Sequence, residues 1–313
     1  MTESAQKGAG RARTRLALLL WAAWAAIVIA TALGFAAPFI PALDLINQCR
    51  PFAALGAIIL FAAATALREW RLIRPTAALT LLLVGLLLLP WARAADTAPS
   101  AAPALRVVSF NLTAGNDRFD DIADFILSSG ADIVLLQEVS CTAVDRLLPK
   151  LKASYPHAFV SADSCFGQAL LAKRPWLTGG QVITGARKPL LVWARVEWNN
   201  VAFDLAGAHL SGPLAPNEQA ADVQRLLARM NEGRAQIVAG TLNLTPFTWK
   251  FAQLINAGLG QHATFLATWP GRRPLFLMDN VLSTNGIASV RTSTGPALGS
   301  DHRPLIADIA FVK

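Results

Sequence analysis

Cysteine is scarce in this chain of 313 residues, which has three, and their spacing excludes a zinc-binding module. Cys49, Cys141 and Cys165 are too widely separated to form the close cysteine pairs of structural zinc sites. Charged residues are also scarce, at 15% against 54% hydrophobic residues. This balance lies outside the range of ordinary soluble domains and indicates a membrane portion.

A clustered run of Lys and Arg is missing from the last two-thirds of the chain, although the net charge is +8. Residues 1–99 carry +5 of this charge, and the remainder carries only +3. Adjacent basic pairs such as Lys173–Arg174 and Arg272–Arg273 are isolated. The positive charge therefore does not indicate a strong binder of duplex nucleic acid.

Three uncharged apolar stretches lie near the N-terminus, at about 16–37, 52–67 and 75–91. The first easily crosses a hydrocarbon core of roughly 30 Å, and the other two are at the short end of the usual ~17–25 residues. Buried helices of a soluble protein are the alternative for the short stretches, but such helices normally keep one polar face. We therefore predict a membrane region, residues 1–91, with three transmembrane helices.

Basic residues flank these stretches unevenly. They lie before the first stretch and between the second and third: Lys7, Arg11, Arg13, Arg15, Arg68, Arg71 and Arg74. Because basic flanks stay in the cytoplasm, we predict a multi-pass protein of the plasma (inner) membrane with a cytoplasmic N-terminus. The C-terminal part is then periplasmic or extracellular. A cleaved signal peptide is the alternative for the first stretch, but that stretch is longer than usual and two more follow.

Residues 92–104 are small and proline-rich with no apolar period, which is typical of a flexible linker of limited reach. We expect it to keep the following domain, residues 105–313, close to the membrane surface. A bilayer of lipid is thus one predicted partner.

The predicted outer compartment permits disulfide bonds. Cys141 and Cys165 could pair there and close a loop of about 24 residues, which would add about 3 kcal/mol of stability. Two unpaired buried thiols are the alternative. The sequence leaves both open.

From residue 105 the apolar pattern alternates between strands and helices. A helix is predicted from Phe119 to Leu127 with a stop at Gly130, and further helices at 142–152, 216–231 and 248–258. Strands are predicted at 105–111, 132–138, 167–172, 190–198, 201–208, 235–240, 276–283, 287–292 and 305–312. Some 210 residues of such mixed elements indicate one α/β domain with a sizeable core.

Polar side chains occur where these strands end or begin. They are Asn111, Gln137–Glu138, His209, Asn243, Asp279 and Asp301–His302. Each has an ordinary explanation by itself, since an asparagine after a strand commonly makes a turn and a lone histidine is more often structural. Strand ends of open α/β sheets gather at one edge, so the whole set predicts a functional site there.

The segments that carry these residues resemble the endonuclease/exonuclease/phosphatase superfamily. They are V-V-S-F-N, A-D-I-V-L-L-Q-E, G-A-H-L, V-A-G-T-L-N, M-D-N-V-L-S and G-S-D-H-R-P-L-I-A. The resemblance covers the chain from about 105 to the end. It implies a four-layer α/β sandwich of two mixed β-sheets flanked by helices, here preceded by three transmembrane helices. The whole arrangement resembles a bacterial membrane-anchored branch of the superfamily.

The resemblance also implies a divalent cation, Mg²⁺ or Mn²⁺, as cofactor. Glu138 would hold it, and Asn111 and Asp301 would stand close to it. Such a hard cation binds carboxylate and amide oxygens and neutralises the charge of a phosphate ester.

Three further residues are given catalytic roles by the resemblance. His302 would contact the scissile phosphate, oriented by Asp279, and His209 corresponds to a second catalytic histidine. A histidine paired with a carboxylate is correctly oriented and is stabilised when cationic.

The chain departs from the family pattern at one position. The family has Gly-Asp-x-Asn where this chain has Gly240-Thr241-Leu242-Asn243. Asn243 is kept and would bind phosphate, but the hydroxyl of Thr241 cannot act as a general base near neutral pH. Either another group activates water in a slower enzyme, or an impaired member binds a phosphorylated ligand or partner instead.

Because the other site positions are kept, we predict a membrane-anchored, metal-dependent phosphoesterase acting outside the cytoplasm. Proximity to the bilayer favours lipid-linked phosphates as the phosphate-ester substrate. Nucleic acid is the less favoured alternative, since the domain has no strong basic patch.

Overall fold

The computed structural model describes residues 3–92, 105–161, 165–183, 189–230, 236–261, 266–284 and 287–311. The chain divides into two compact units. One comprises residues 1–92 with Phe247–Trp249, and the other comprises the remaining residues. Apart from Ala92, the predicted linker 92–104 lies outside the described residues.

The N-terminal unit is helical. Its elements are α1 (Glu3–Phe35), a 3₁₀ turn (Pro41–Leu43), α2 (Asp44–Gln48), α3 (Arg50–Ala66) and α4 (Trp70–Ala92). By length and composition, two segments could each cross a membrane, Arg11–Phe35 and Trp70–Pro90.

The expectation of three separate spans therefore needs correction. Helix α3 has 17 residues, which cover only about 25 Å at the rise of an α-helix, less than the ~30 Å hydrocarbon core. It qualifies only together with Pro41–Gln48, from which it is bent by 54°. The unit thus has two candidate spans, or three if the bent pair counts as one.

The last of these helices also begins earlier than predicted. It starts at Trp70 rather than near Pro75, and it continues through that proline. Leu72 lies on the added turn and is buried against Leu20, Leu60 and Ala64. This burial of apolar surface stabilises a turn that Pro75 alone would disfavour.

The second unit contains two six-stranded sheets. Its strands are β1 (Leu105–Asn111), β2 (Ile133–Val139), β3 (His157–Ser161), β4 (Gly167–Ala172), β5 (Thr178–Ile183), β6 (Pro189–Trp198), β7 (Val201–His209), β8 (Gln236–Thr241), β9 (Gly260–Gln261), β10 (Asp279–Ser283), β11 (Ile287–Thr294) and β12 (Leu305–Phe311). The strand orders are β11-β12-β1-β2-β4-β3 and β5-β6-β7-β8-β10-β9. Both sheets are mixed, because β1 runs parallel to β2 and β7 runs parallel to β8.

The two sheets pack face to face, and helices cover their outer faces. Residues of both sheets, such as Leu135 and Leu205, share one buried cluster. The helices are α5 (Phe119–Ser129), α6 (Cys141–Arg146), α7 (Leu148–Leu151), α8 (Pro216–Met230) and α9 (Trp249–Asn256). Alternate strand residues such as Val134 pack on α5 to α7, whereas Val238 packs on α8 and α9. The structure therefore confirms two mixed sheets flanked by helices.

Several local predictions differ from the structure. The helix expected at 142–152 is divided in two, because Pro149 has no N–H to donate in its middle. Strands β3, β5 and β9 were not predicted. Strand β5 contains Gly179 and Gly180, which are poor strand formers, yet it pairs along β6, where a Cβ on Gly179 would lie 2.9 Å from the Trp193 carbonyl oxygen.

Cys141 and Cys165 form a disulfide bond across 24 residues, and Cys49 is free and exposed. The bond decides between the two alternatives that the sequence left open. It links the start of α6 to the segment that leads into β4.

Removing this disulfide should destabilise the chain. We expect Cys141→Ser with Cys165→Ser to lower the free energy of unfolding by about 3 kcal/mol, since the unfolded chain regains loop entropy. The measurement is urea unfolding of the full chain in detergent, without reductant. Cys49→Ser is the matched control and should change little. A double variant as stable as the parent would contradict the prediction.

Tyr155 is the single tyrosine of the chain and is only 2% exposed. Burial, with a smaller contribution from Asp132, raises the pKa of its phenol to about 12. The phenol also donates a hydrogen bond to the Ala131 carbonyl oxygen at 3.0 Å. The raised pKa means that Tyr155 stabilises the fold fully below the unfolded pKa of about 10, and that this contribution is lost as pH rises towards 12.

We therefore expect absorbance near 295 nm to titrate about two pH units higher in the folded chain than in denaturant. The lone tyrosine makes this assignment unambiguous. A folded chain that titrates near pH 10 would show that the phenol is not held as described.

Candidate active site

The predicted site residues lie at one end of the two sheets. Strands β1 and β2 are parallel, as are β7 and β8, so their C-terminal ends coincide within each sheet. Strands β10 and β12 run antiparallel to β8 and β1, so they begin at that same end. The residues gathered there are Asn111, Glu138, His209, Thr241, Asn243, Asp279, Asp301 and His302.

A buried hydrogen-bonded chain joins Thr241, Asp279 and His302. Thr241 pairs with Asp279 in the β8–β10 ladder, and its Oγ1 donates to Asp279 Oδ1 at 2.6 Å. His302 Nδ1 lies 2.8 Å from Asp279 Oδ2. All three residues are buried. Both oxygens of the Asp279 carboxylate are thus satisfied, one from its own sheet and one from the other.

His302 is in an environment that favours its cation. Burial lowers the pKa of the imidazole, but the charge and hydrogen bond of Asp279 and the charges of Asp301 and Glu138 outweigh it. The net result is a raised pKa. Glu138 and Asp301 therefore both lie within electrostatic reach of His302.

Glu138 is placed by an irregularity in β2. The β2–β4 register shifts between Gln137 and Val139, and Glu138 has a left-handed φ of 55°. Such a conformation costs about 1 kcal/mol or more for a residue other than glycine, and a bulge redirects the side chain. The side chain lies beside Asn111, whose Nδ2 donates to Glu138 Oε1 at 3.0 Å.

His209 is also close to Glu138. Its Nε2 lies 3.5 Å from Glu138 Oε1, and its ring lies 5.8 Å from that of Phe166 between centroids. His209 ends β7 and Glu138 lies on β2, so this is a second contact between the sheets.

Asp301 is exposed to solvent, but its side chain is held. Thr113 Oγ1 donates to Asp301 Oδ1, and Trp269 Nε1 donates to Asp301 Oδ2 at 3.1 Å. Ser300 Oγ donates to the Asn111 carbonyl oxygen at 2.7 Å and accepts from the His302 backbone N–H at 2.9 Å. The turn before β12 is thereby fastened to the end of β1.

Asn243 has a left-handed φ of 54° and is supported from two sides. Its Nδ2 donates to the Leu210 carbonyl oxygen at 2.9 Å. Gln219 of α8, which is buried, donates through Nε2 to the carbonyl oxygens of Asn243 and Ser211, both at 2.9 Å.

The structure thus places every residue predicted for the site at this end of the sheets. Direct contacts join Glu138 to Asn111 and His209, and His302 to Asp279. Reasoning from the sequence missed the supporting residues Thr113, Trp269, Ser300 and Gln219. Ser300 lies in the S-D-H segment directly before Asp301, and this position could have marked it as a supporting residue. Trp269 and Gln219 are far from the motifs along the chain and gave none.

The donor set suits a hard cation that keeps much of its water. Among the described residues, no three or more His, Cys, Asp or Glu side chains are grouped to hold a metal ion. A closed zinc-like site is therefore not formed by this part of the chain. The Glu138 carboxylate fits a hydrated divalent cation, which usually binds through one or two carboxylates, and the Asn111 amide N–H holds that carboxylate in place.

A two-sheet α/β fold that carries a His–Asp pair and a carboxylate–amide pair at one end is the architecture of a metal-dependent phosphoesterase family. The sequence profile of the endonuclease/exonuclease/phosphatase family matches residues 108–302. The chain belongs to this family.

Comparison with solved structures shows the same fold. D. rerio TDP2 complexed with a single-strand DNA product is 17% identical with a TM-score of 0.56, covering 66% of this chain and 99% of that chain. Sphingomyelinase C from Streptomyces griseocarneus is 18% identical with a TM-score of 0.52, covering 66% and 99%. A family protein from Leptotrichia buccalis is 13% identical with a TM-score of 0.55, covering 66% and 100%. A search of curated protein sequences finds no match.

The Thr241 hydroxyl should be needed to keep Asp279 buried. Thr241→Val removes the 2.6 Å donor, and we expect it to lower the free energy of unfolding by about 2 kcal/mol. Thr241→Ser keeps a hydroxyl and should cost less. Urea unfolding followed by tryptophan fluorescence measures both. Thr142→Val, at an exposed position, is the control, and an equal effect there would refute the assignment.

Proposed function

We propose that the chain is a divalent-metal-dependent phosphoesterase. The single observation that carries this proposal is the hydrogen bond between His302 and Asp279 across the two sheets, within electrostatic reach of Glu138 and Asp301. Members of the family are generally hydrolases of phosphate esters. The geometry supports the same chemistry here.

Glu138 would hold the cation, with Asn111 and Asp301 close by. When bound, the cation would neutralise negative charge on the phosphoryl oxygens. Asn111 orients the Glu138 carboxylate through its 3.0 Å hydrogen bond, and the Ala114 backbone N–H supports the other carboxylate oxygen at 3.3 Å.

His302 would contact the scissile phosphate. Its Nδ1 is engaged by Asp279, so Nε2 is the ring nitrogen that can donate to a phosphate oxygen. The raised pKa favours the cationic ring, and a buried cation there interacts strongly with charge that develops in the transition state. Asn243, fixed by Gln219 and Leu210, would bind the same phosphate.

Thr241 supports this arrangement without supplying a base. Its hydroxyl proton is donated to Asp279, so the residue positions the His–Asp pair. His209, 3.5 Å from Glu138, is the remaining histidine at the site that could accept a proton from water.

Thr241 also favours a second candidate function, the binding of a phosphorylated ligand without hydrolysis. Loss of the family's aspartate could have ended hydrolysis and left a domain that binds a phosphorylated ligand or partner. The intact His302–Asp279 pair and Glu138 are equally compatible with phosphate binding, so activity must be measured.

The membrane context supports a lipid-linked phosphate as substrate. Two helices of the chain are apolar enough to cross a membrane, and the bent pair Pro41–Gln48 and Arg50–Ala66 can count as a third span. We propose that all three cross, so that the chain leaves the membrane on the far side and the linker 92–104 holds a C-terminal domain, residues 105–313, outside the cytoplasm. Proteins of this fold act on different esters: the similar structures include a sphingomyelinase and a TDP2 bound to single-strand DNA. Single-stranded nucleic acid is therefore the alternative substrate to test.

The test is turnover by the full chain in detergent with Mg²⁺ or Mn²⁺, using lipid phosphates, generic phosphodiesters and single-stranded DNA. We expect activity that EDTA removes and that Glu138→Gln lowers about 100-fold or more, since the cation loses its carboxylate. Glu197→Gln, an exposed carboxylate on β6, is the matched control and should retain activity.

Thr241→Asp separates the two candidate functions. It would place a second buried carboxylate against Asp279, and like charges at that distance force one to keep a proton. An inactive parent that gains turnover through Thr241→Asp would establish the binding function. An active parent that depends on Glu138 establishes the enzyme.

A further inference from the structure

A short hairpin beside the site presents two cations and a leucine to solvent. Trp269 and Phe276 form a β-bridge, and their rings lie 5.7 Å apart between centroids. The tip between them, Pro270 to Leu275, turns through a hydrogen bond from the Arg273 N–H to the Pro270 carbonyl oxygen at 3.0 Å. Arg272, Arg273 and Leu275 are exposed there.

The two tip arginines are unpaired within the described part of the chain. Neither guanidinium has an ion-pair or hydrogen-bond partner among the residues that the structure describes. Leu275 keeps 59% of its surface exposed. An exposed leucine next to two cations is a combination that suits a surface both anionic and apolar.

The base of this tip is fastened to the catalytic segment. The Gly271 N–H donates to the Asp301 carbonyl oxygen at 2.7 Å, and Arg303 Nε donates to the Gly271 carbonyl oxygen at 2.8 Å. Trp269 Nε1 holds the Asp301 carboxylate. A Cβ on Gly271 would lie 2.6 Å from the Ser300 carbonyl oxygen, so only glycine allows this approach. The tip therefore has a fixed place beside Asp301.

A second exposed leucine lies on another loop at the same end. Leu214 follows β7 and is 86% exposed. Its loop is held to α8, because Ser211 donates from its N–H and Oγ to Asp222 Oδ2 at 2.9 and 2.7 Å. Because these hydrogen bonds hold the loop in place, Leu214 stays exposed to solvent.

We propose that the tip of residues 270–275, with Leu214, docks on the surface of an anionic phospholipid bilayer. The arginines would pair with headgroup phosphates while the leucines enter the interfacial layer. Candidate membrane spans in the same chain make a bilayer the most available occupant. A nucleic-acid strand would bind through cations and stacking aromatic rings, and it would leave Leu275 and Leu214 in contact with water. The docking does not depend on whether the site hydrolyses anything.

The test uses the full chain in nanodiscs and reads position, not turnover. Leu275→Cys in a Cys49→Ser background is labelled with the environment-sensitive dye NBD, with the Cys141–Cys165 disulfide intact. In discs of equal phosphatidylglycerol and phosphatidylcholine we expect blue-shifted, enhanced emission. Arg272→Ser with Arg273→Ser should lower the ratio of docked to undocked chain about 25-fold, about fivefold for each arginine near an anionic surface.

Two matched controls make the result specific. Leu177→Cys carries the same label at a similar exposure of 61%, on the segment before β5, and should stay aqueous in all discs. Lys152→Ser with Arg291→Ser removes two exposed charges elsewhere and should leave the 275 label docked. Discs of phosphatidylcholine alone should release the label from the unmutated tip, which tests the charge requirement without any risk of misfolding.

Three outcomes would overturn the proposal. In the first, NBD emission at position 275 in anionic discs shows no more blue shift than at position 177. In the second, the blue shift at position 275 is as large in neutral discs as in anionic discs. The third is a 275 label that responds to a single-stranded oligonucleotide and not to phosphatidylglycerol, which would assign the tip to nucleic acid. A catalytically dead chain that still docks would disprove the proposed hydrolysis and leave this inference standing.

Discussion

Burial of the Asp279 carboxylate is the constraint on which the site depends. A buried charge is tolerated only when it is paired and hydrogen-bonded, and Asp279 receives one hydrogen bond from Thr241 of its own sheet and another from His302, which precedes a strand of the other sheet. The two sheets must therefore meet in one alignment. Because Asp301 directly precedes His302 in the chain, the same alignment also places Asp301 at the site.

The threonine at 241 takes on a structural meaning in this setting. As a departure from the family pattern it looked like the loss of a catalytic base. In the structure its hydroxyl satisfies an oxygen of Asp279 that would otherwise be buried without a partner. The position therefore supports the His302–Asp279 pair, and proton abstraction from water, if it occurs, falls to another group.

The elements predicted well were those whose pattern is local. Strands with continuous apolar runs, such as β2 and β8, are buried on both faces and were recognisable from residue type alone. The two strands predicted at 190–198 and 201–208 are β6 and β7, joined by Asn199 and Asn200, which both adopt a left-handed φ. Strands β3, β5 and β9 lack such runs and exist because a neighbouring strand offers hydrogen bonds. The number of helices that could cross a membrane was misjudged because apolar composition does not reveal the bend before α3.

The sequence by itself determined the α/β class, the apolar helices and the identity of the residues at strand ends, since each of these depends on residue type and spacing along the chain. Only the tertiary structure decided that Cys141 meets Cys165, that Thr241 serves Asp279 and that Trp269 holds Asp301. Those contacts join residues 24 to 38 positions apart. Local pattern carries no record of such pairs, because they form only when segments that are distant along the chain fold against each other.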